Sequence, residues 1–226
     1  MNFHFYGHST FHLEADGTSL LFDPFISGNP KLEDQSIDRI NANYILITHG
    51  HADHILDAVS IAKRTGATVI CSWEIHEWLN KQGIENTHPM NTGGTKKFDE
   101  FSVKCVVAQH SSGLPDGTYG GNPMGFIIWF KDKILYYSGD TALTMDMQLI
   151  PSWAKLDYAI LPIGDNFTMG AEDAARAANM VECKKCIGVH FDTFGFIEID
   201  HDATKHIFDK AGIELKIPSI GESFTL

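Results

Sequence analysis

Four side chains that can bind metal ions lie within six residues, directly after a short apolar segment. The segment Tyr44–Ile47 has the composition of a buried strand, and His49, His51, Asp53 and His54 follow where it ends. Imidazole nitrogens and carboxylate oxygens are the usual ligands of zinc and related ions. Because a strand end holds the following loop on a rigid sheet, the cluster predicts a metal site at a sheet edge.

Three further side chains of the same kinds occupy similar positions elsewhere in the chain. His110, Asp140 and His190 each come directly after, or within a few residues of, an apolar stretch with the composition of a strand. In an α/β protein the loops at one edge of the sheet lie close together, so residues that are distant in sequence can meet there. Five histidines and two carboxylates fit two metal ions that share one bridging ligand, which is the arrangement of two-metal hydrolases.

Strands and helices alternate after the cluster. Ile55–Thr65 and Glu74–Gln82 have apolar residues at helical spacing, and Thr68–Ser72 between them has the composition of a buried strand. The first 22 residues predict a meander of three short strands, with a hairpin turn at Ala15-Asp16-Gly17. This order of elements indicates a sheet covered by helices, so the predicted fold class is α/β.

The composition excludes several classes of protein. No Pro/Ser-rich linker or charged block divides the 226 residues, so we expect a single domain over residues 1–226. A formal charge of −12 repels phosphate backbones, which argues against a long nucleic acid as a partner and favours a small-molecule substrate. The N-terminus lacks signal-peptide features and the apolar runs are short, so we expect a cytoplasmic protein without integral membrane association. The sequence predicts no particular oligomeric state.

Several residues at the ends of other predicted strands are candidates for the surroundings of the site. His8, Asp23 and Asn166 are predicted to line a pocket or to support the ligands, although His8 could equally be hydrogen-bonded within a turn. Residues 111–125 carry five glycines and two prolines directly after His110, which favours a lid or a substrate-facing loop.

Two other features are expected to lie outside the chemistry. His201 is predicted at the N-terminus of a surface helix. Cys183 and Cys186 form a C-x-x-C pair, but the sequence has no second pair and no thioredoxin-like context. We therefore expect reduced thiols at a helix-to-strand junction rather than a redox or zinc site.

The stretch His49-Gly-His51-Ala-Asp53-His54 has the pattern H-x-H-x-D-H, and on this signature the chain resembles the metallo-β-lactamase superfamily. The resemblance extends to His110, to Asp140 in a Ser-Gly-Asp-Thr stretch and to His190, and it covers essentially the whole chain. The stretches GHS, DP, GGNP and VHFDTF look like those of metal-dependent hydrolases similar to L-ascorbate-6-phosphate lactonase and N-acylphosphatidylethanolamine phospholipase D.

The resemblance implies a four-layer αβ/βα sandwich with the metal ions at one sheet edge. It implies two divalent ions, with zinc expected and manganese or iron as alternatives. It also implies that Asp23 braces the ligand loop. The implied ligands are His49, His51 and His110 for the first ion and Asp53, His54 and His190 for the second, with Asp140 bridging both.

A metal-bound water has a pKa of about 7, so such a site needs no serine or cysteine nucleophile. We expect a hydrolase in which a metal-bridging hydroxide attacks a small ester, lactone or phosphodiester. Asp53 and His54 are the expected catalytic residues, with Asp53 steering or accepting the proton.

Three alternatives to this hydrolase differ in what they require of the sequence. A di-iron oxidoreductase normally replaces some of these histidines with carboxylates, and here the histidines are present. A nuclease or phosphodiesterase that acts on RNA needs a basic groove, and no long Lys/Arg cluster is visible. A non-catalytic metal-binding protein predicts a degraded ligand set, whereas this set is complete.

Overall fold

The computed structural model describes residues 1–33 and 36–226, and these residues form two compact units. Unit 1 comprises Met1–Asn91, Ser111–Pro123 and Ser219–Leu226. Unit 2 comprises Thr92–His110 and Met124–Pro218. Because both units draw on separate stretches of the chain, the expectation of a single domain stays a prediction.

The described residues contain fourteen strands. In chain order they are β1 (Asn2–Gly7), β2 (Thr10–Ala15), β3 (Thr18–Phe22), β4 (Tyr44–Leu46), β5 (Thr68–Ser72), β6 (Thr87–Met90), β7 (Thr95–Lys97), β8 (Phe101–Val107), β9 (Met124–Phe130), β10 (Lys133–Tyr137), β11 (Tyr158–Pro162), β12 (Lys185–Val189), β13 (Glu214–Lys216) and β14 (Ser223–Thr225).

Five α-helices and two 3₁₀ helices lie in the same described part of the chain. The α-helices are α1 (Ala52–Ile55), α2 (Ala58–Thr65), α3 (Trp73–Lys81), α4 (Ala171–Met180) and α5 (His201–Lys210), and the 3₁₀ helices span Met145–Ser152 and Gly195–Ile197.

Unit 1 is built on one seven-stranded mixed sheet in the order β14-β1-β2-β3-β4-β5-β6. The strands from β14 to β3 pair antiparallel, and those from β3 to β6 pair parallel. As a result β1, β3, β4 and β5 all run in the same direction. Their carboxyl ends therefore lie at one edge of the sheet, which is the edge where the sequence predicts metal ligands.

Unit 2 repeats this plan with a sheet in the order β13-β12-β11-β10-β9-β8-β7. The strands from β7 to β10 pair antiparallel, and those from β10 to β13 pair parallel. Strands β8, β10, β11 and β12 consequently share one direction and end at one edge. Both sheets are mixed and both units contain helices, so the predicted α/β class is confirmed.

The apolar core of unit 1 explains why its sheet is rigid. On one face Leu21, Ile45 and Val69 come from three adjacent strands and belong to the same fully buried cluster as Ile61 of α2 and Leu79 of α3. Burial of each such side chain contributes about 1.5–3 kcal/mol relative to exposure. The strand ends are therefore fixed by the packing behind them.

Phenylalanine rings stack across four adjacent strands of the same sheet. Phe224, Phe3, Phe11 and Phe22 form a continuous row, with successive ring centroids 5.0, 5.0 and 4.4 Å apart. Cross-strand aromatic pairs of this kind stabilise the pairing register. The row ties the C-terminal strand β14 to the N-terminal meander.

The helix predicted over Ile55–Thr65 is interrupted in the structure. Helix α1 ends at Ile55, and α2 begins at Ala58. The cause is Asp57, whose carboxylate accepts hydrogen bonds from the backbone N–H groups of Ile26 and Ser27 at 2.6 and 2.9 Å. Its own N–H donates to the carbonyl of Pro24 at 3.1 Å. These hydrogen bonds interrupt the helix at Asp57, although the spacing of apolar residues alone predicts a continuous helix there.

Replacing His12 with glutamine should reduce the loss of stability in acid. Burial, and secondarily the charge of His4 on the paired strand, lowers the pKa of His12 from 6.5 to about 4. The stabilising contribution of neutral His12 is therefore complete above pH 6.5 and is lost as the pH falls toward 4. Between pH 7.5 and pH 4.5 the wild type should lose on the order of 2–3 kcal/mol more unfolding free energy than His12→Gln.

Urea denaturation at each pH, in the presence of a chelator, measures this difference. Equal losses in the two proteins would show that His12 takes up a proton without cost in the folded chain.

Candidate metal centre

The carboxyl ends of three codirectional strands bring polar side chains together in unit 1. His8 follows β1, Asp23 follows β3, and His49 to His54 follow β4. His8, Asp23, His49 and His54 are each at most 1% exposed. Ionisable side chains are rarely buried to this extent unless they are paired or bind a metal, so this edge of the sheet is the candidate functional site of unit 1.

The carboxylate of Asp23 accepts several hydrogen bonds within this group of side chains. It accepts hydrogen bonds from the backbone N–H of Thr48 at 2.8 Å and from the Thr48 hydroxyl at 2.7 Å. Its Oδ2 atom also lies 3.0 Å from Nδ1 of His54. Because a carboxylate only accepts, Nδ1 of His54 carries the proton and Nε2 is the nitrogen with the lone pair. That tautomer is the one that binds a metal through Nε2.

Thr48 fixes the tautomer of His49 by the same logic. Its hydroxyl proton points to Asp23, so the oxygen accepts from Nδ1 of His49, which lies 3.0 Å away. The lone pair of His49 is then on Nε2. One buried carboxylate thus orients two histidines, directly in one case and through a hydroxyl in the other.

The ring nitrogens of His49 and His51 have the spacing of two ligands of one ion. Nε2 of His49 lies 3.0 Å from Nδ1 of His51. Two imidazole ligands of a tetrahedral zinc ion, at 2.0–2.1 Å from the metal, would be separated by about 3.3 Å. The other ring nitrogen of His51, Nε2, lies 3.1 Å from the hydroxyl of Ser111. The residues present therefore fit a metal ion, and Ser111 holds the ring that would bind it.

A second group forms around Asp53. Nε2 of His8 lies 3.0 Å from Oδ2 of Asp53, and a ligand atom of His54 lies within 4.8 Å of both residues. His8 is fully buried whereas the Asp53 side chain is 30% exposed. The buried His8 side chain is therefore placed to hold the Asp53 carboxylate from the protein side.

Of residues 111–125, predicted as a lid or a substrate-facing loop, Ser111–Pro123 belong to unit 1 and are bonded to the rest of it at several points. The Ser112 hydroxyl accepts from the N–H of Gly50 at 3.0 Å, and the Ser72 hydroxyl donates to the carbonyl of Gly120 at 2.7 Å. Leu114 is buried in the same apolar cluster as the helices. These contacts stabilise the stretch in one position, and its direct bonds to Gly50 and His51 make it a support of the ligand loop.

Unit 2 carries the remaining three predicted ligands at the ends of its own codirectional strands. Oδ2 of Asp140, after β10, lies 3.0 Å from Nε2 of His190, after β12. The same oxygen lies 3.6 Å from Nε2 of His110, after β8. Asp140 and His190 are each 2% exposed, and the buried carboxylate between two imidazoles is suited to bridge metal ions.

The positions of His190 and Asp140 depend on unusually close backbone packing. A Cβ atom at Gly164 would overlap the carbonyl oxygen of His190 and would lie 3.0 Å from Cβ of Ile197. The N–H of Met169, in the same loop, donates to the carbonyl of Thr141 at 3.1 Å. The loop after β11 is thereby fixed to the residues that follow β10 and β12.

The remaining predicted positions differ in their surroundings. Asn166 is exposed in the loop after β11, with a backbone φ of 56°. His201 is the first residue of α5, as predicted, and its Nε2 lies 2.6 Å from Oδ2 of Asp192. Burial raises the pKa of both the Cys183 and Cys186 thiols, which suppresses the reactive thiolate form.

Sequence reasoning missed two residues that support the ligands, Thr48 and Ser111. Neither is a ligand type, so a search for metal-binding side chains passes over both. The available signal is position: each directly adjoins a predicted ligand, and hydroxyl groups beside histidines commonly fix the tautomer of the ring.

Comparison with known sequences identifies several similar proteins. Residues 18–191 match the family model described as the beta-lactamase superfamily domain. A UPF0173 metal-dependent hydrolase from Flavobacterium johnsoniae is 52% identical over 227 residues, which cover all of both chains. Within residues 1–33 and 36–226, no helix combines the length and hydrophobicity that a membrane span requires.

Comparison with solved structures identifies similar folds. A metallo hydrolase from the archaeon Ignicoccus hospitalis aligns with a TM-score of 0.87 and 32% identity, over all of this chain and 98% of that one. CmlA, a diiron β-hydroxylase from Streptomyces venezuelae, aligns with a TM-score of 0.76 over all of this chain and 54% of that one. At 14% identity the second likeness concerns the fold alone.

Replacing Gly164 with alanine should destabilise the protein, because the added methyl group overlaps the His190 backbone. Overpacking of this kind costs about 1–3 kcal/mol. The matched control is Gly195→Ala in the same unit, where a Cβ atom would meet nothing within 4 Å. The control should stay within about 0.5 kcal/mol of the wild type. Chemical denaturation measures both, and equal stability of the two variants would contradict the close packing at Gly164.

Proposed function

The chain belongs to the metallo-β-lactamase superfamily, as a relative of metal-dependent hydrolases. From this premise we propose that it is a binuclear hydrolase that acts on small esters, lactones or phosphodiesters. The family and the metallo-β-lactamase-like α/β fold predicted from the sequence are confirmed. The observation that carries the proposal is the hydrogen-bond chain from Asp23 through Thr48 to His49 and directly to His54, which sets both rings in metal-binding tautomers.

We propose two divalent ions, with zinc expected and manganese or iron as alternatives. When bound, these ions would supply a hydroxide nucleophile at neutral pH and would polarise the bond to be broken. The proposed ligands are His49, His51 and His110 for one ion and Asp53, His54 and His190 for the other, with Asp140 shared.

The protein's own residues would prepare this chemistry in three ways. Asp23 and Thr48 hold His49 and His54 in one tautomer, so no proton has to leave those rings when metal binds. His8 orients the carboxylate of Asp53 from below. Asp53, at 30% side-chain exposure, is open enough to accept a proton from a reacting group, and His54 beside it is the second proposed catalytic residue.

The charge of the chain supports a small substrate over RNA. A formal charge of −12 gives a field that opposes the approach of a polyanion, and no long Lys/Arg run offsets it. A di-iron oxidoreductase is the alternative, but its chemistry normally replaces some of these histidines with carboxylates, and here the histidines are present. The relatives that cover the full chain are metal-dependent hydrolases, which favours hydrolysis.

His51→Ala and Asp140→Ala should each lose bound metal and turnover together, since both remove a ligand. Elemental analysis of the purified proteins, coupled to a hydrolysis screen over lactones, esters and phosphodiesters, measures both quantities. The matched control is His206→Ala, which removes an exposed histidine of α5 and should retain metal and activity. Full turnover by metal-free protein would contradict the proposal, and a coloured protein with stoichiometric iron would favour the oxidoreductase.

Asp23→Asn should weaken metal binding without removing a ligand. The amide has nearly the same shape, but its NH₂ group donates where the carboxylate accepted from Thr48 or His54. Loss of such a supporting partner typically lowers metal affinity 10–100-fold. Competition with a chromophoric chelator measures the affinity, and Asp16→Asn, an exposed carboxylate in the first hairpin, is the control. Unchanged affinity in Asp23→Asn would show that the tautomers are set in some other way.

A further inference from the structure

Two phenylalanines at the ligand-bearing edge of unit 2 are exposed to solvent and contact each other. Phe167 is 52% exposed and Phe196 is 77% exposed. Their ring centroids lie 6.1 Å apart with an interplanar angle of 72°, the edge-to-face geometry that aromatic pairs prefer. Single exposed apolar residues are common, whereas two exposed rings in contact form an apolar patch.

The pair lies in the loops that follow two of the parallel strands. Phe167 is in the loop after β11, and Phe196 is in the 3₁₀ helix Gly195–Ile197, six residues after His190. The proposed ligands Asp140 and His190 follow β10 and β12, the neighbours of β11 on either side. All three strands run in one direction, so the pair and these two ligands lie at the same edge of one sheet.

Both loops are held in place, which distinguishes this pair from a loosely exposed turn. The N–H of Phe167 donates to the carbonyl of Asp165 at 2.6 Å, and the N–H of Asp165 donates to the carbonyl of Met169 at 3.1 Å. Next to Phe196, Ile197 is fully buried and packs against Gly164, which in turn packs against the His190 backbone. The rings are thus presented in fixed positions a short chain distance from a proposed ligand.

The charge around the pair defines what it can bind. Residues 163–170 and 190–200 contain no lysine or arginine, and they carry Asp165, Asp192, Glu198 and Asp200. Such loops repel an anionic phosphate, and two exposed rings favour an alkyl or aryl group. Fixed apolar surface beside convergent polar groups is the usual make-up of a small-molecule site.

We propose that Phe167 and Phe196 bind an uncharged apolar group of the substrate, so that the substrates are carboxylic esters or lactones with an alkyl or aryl substituent rather than phosphodiesters. This inference rests on the proposed hydrolase function and narrows its substrate class. In the reaction, the oxygen of water forms a bond to the acyl carbon and the acyl carbon–oxygen bond breaks. The products are a carboxylate, an alcohol and a released proton. In the case of a lactone, the carboxylate and the alcohol groups remain in one molecule.

The test compares p-nitrophenyl acetate with p-nitrophenyl octanoate, using the zinc-loaded wild type, Phe167→Ala, Phe196→Ala and the double variant. We expect the wild type to prefer octanoate in kcat/KM. In the double variant the ratio of kcat/KM for octanoate to kcat/KM for acetate should fall roughly tenfold. The main cause should be a higher KM for octanoate, as expected when a hydrophobic contact is removed. Trp73→Ala is the matched control, because Trp73 is an exposed aromatic residue of unit 1 and should leave the preference unchanged.

Binding of the uncharged fluorescent probe N-phenyl-1-naphthylamine to metal-free protein provides a readout that does not depend on turnover. We expect the double variant to bind it roughly tenfold more weakly than the wild type, while Trp73→Ala binds it normally. Probe binding that depends on the phenylalanines, without hydrolysis of any ester, lactone or phosphodiester, would retain the apolar site and overturn the hydrolase function. Ester hydrolysis with the same octanoate preference in all variants would retain the function and overturn this inference.

Two further outcomes would also overturn it. One is a preference for bis(p-nitrophenyl) phosphate over both esters, since that diester is anionic. The other is a wild-type dimer that dissociates in the double variant in sedimentation velocity, which would assign the pair to a contact between two copies of the chain.

Discussion

The ligand loop of unit 1 depends on one buried carboxylate. Asp23 accepts three hydrogen bonds, from the backbone and hydroxyl of Thr48 and from His54. Its own N–H donates to the carbonyl of Leu46 at 3.0 Å, so the residue also joins the ends of β3 and β4. A buried carboxylate with this many donors is fully compensated, whereas loss of one partner would leave a costly charge. Strand pairing and ring orientation are thus determined by the same side chain.

The strand ends carry backbone strain as well as ligands. Non-glycine residues with positive φ cost about 1–2 kcal/mol each, and they cluster where structure enforces them for function. The described residues of this kind at the ligand-bearing edges are His8, Asp23, Asp165, Asn166, His190 and Asp192, with φ between 40° and 61°. In each unit the sheet and its packed helices provide the stability that holds these conformations. The polar edge therefore depends on the apolar core behind it.

The sequence predicted the parts of this protein that depend on local pattern. The strands of the first meander, β4 and β5, and the strands before His110, Asp140 and His190, which are β8, β10 and β12, alternate or cluster apolar residues clearly enough to be located. The short strands β6 and β7 were missed, because Thr87–Met90 and Thr95–Lys97 have little apolar character and are recognisable only through their pairing partners. The break before α2 was missed for a similar reason, since Asp57 bonds to residues about thirty positions away.

The same distinction applies to the candidate site. Side chains of metal-ligand type at strand ends can be read from sequence, and His49, His51, Asp53 and His54 were predicted as ligands in this way. The roles of Thr48 and Ser111 could not, because a hydroxyl that fixes a tautomer differs from any other surface hydroxyl only in what it contacts. The exposed aromatic pair was likewise invisible, since Phe167 and Phe196 are 29 positions apart and nothing in their local sequence distinguishes them from core residues.

The interleaving of the two units has a consequence for how such a protein can change over generations. The chain passes from one unit to the other after Asn91, His110, Pro123 and Pro218. No single continuous stretch of the gene therefore encodes either unit whole. Exchange of one such stretch cannot replace a unit with a homologous one. Substitutions, and insertions in loops such as those that carry Phe167 and Phe196, are changes that leave both units whole. A new specificity is therefore expected to arise from such loop changes on an unchanged pair of sheets rather than by shuffling of modules.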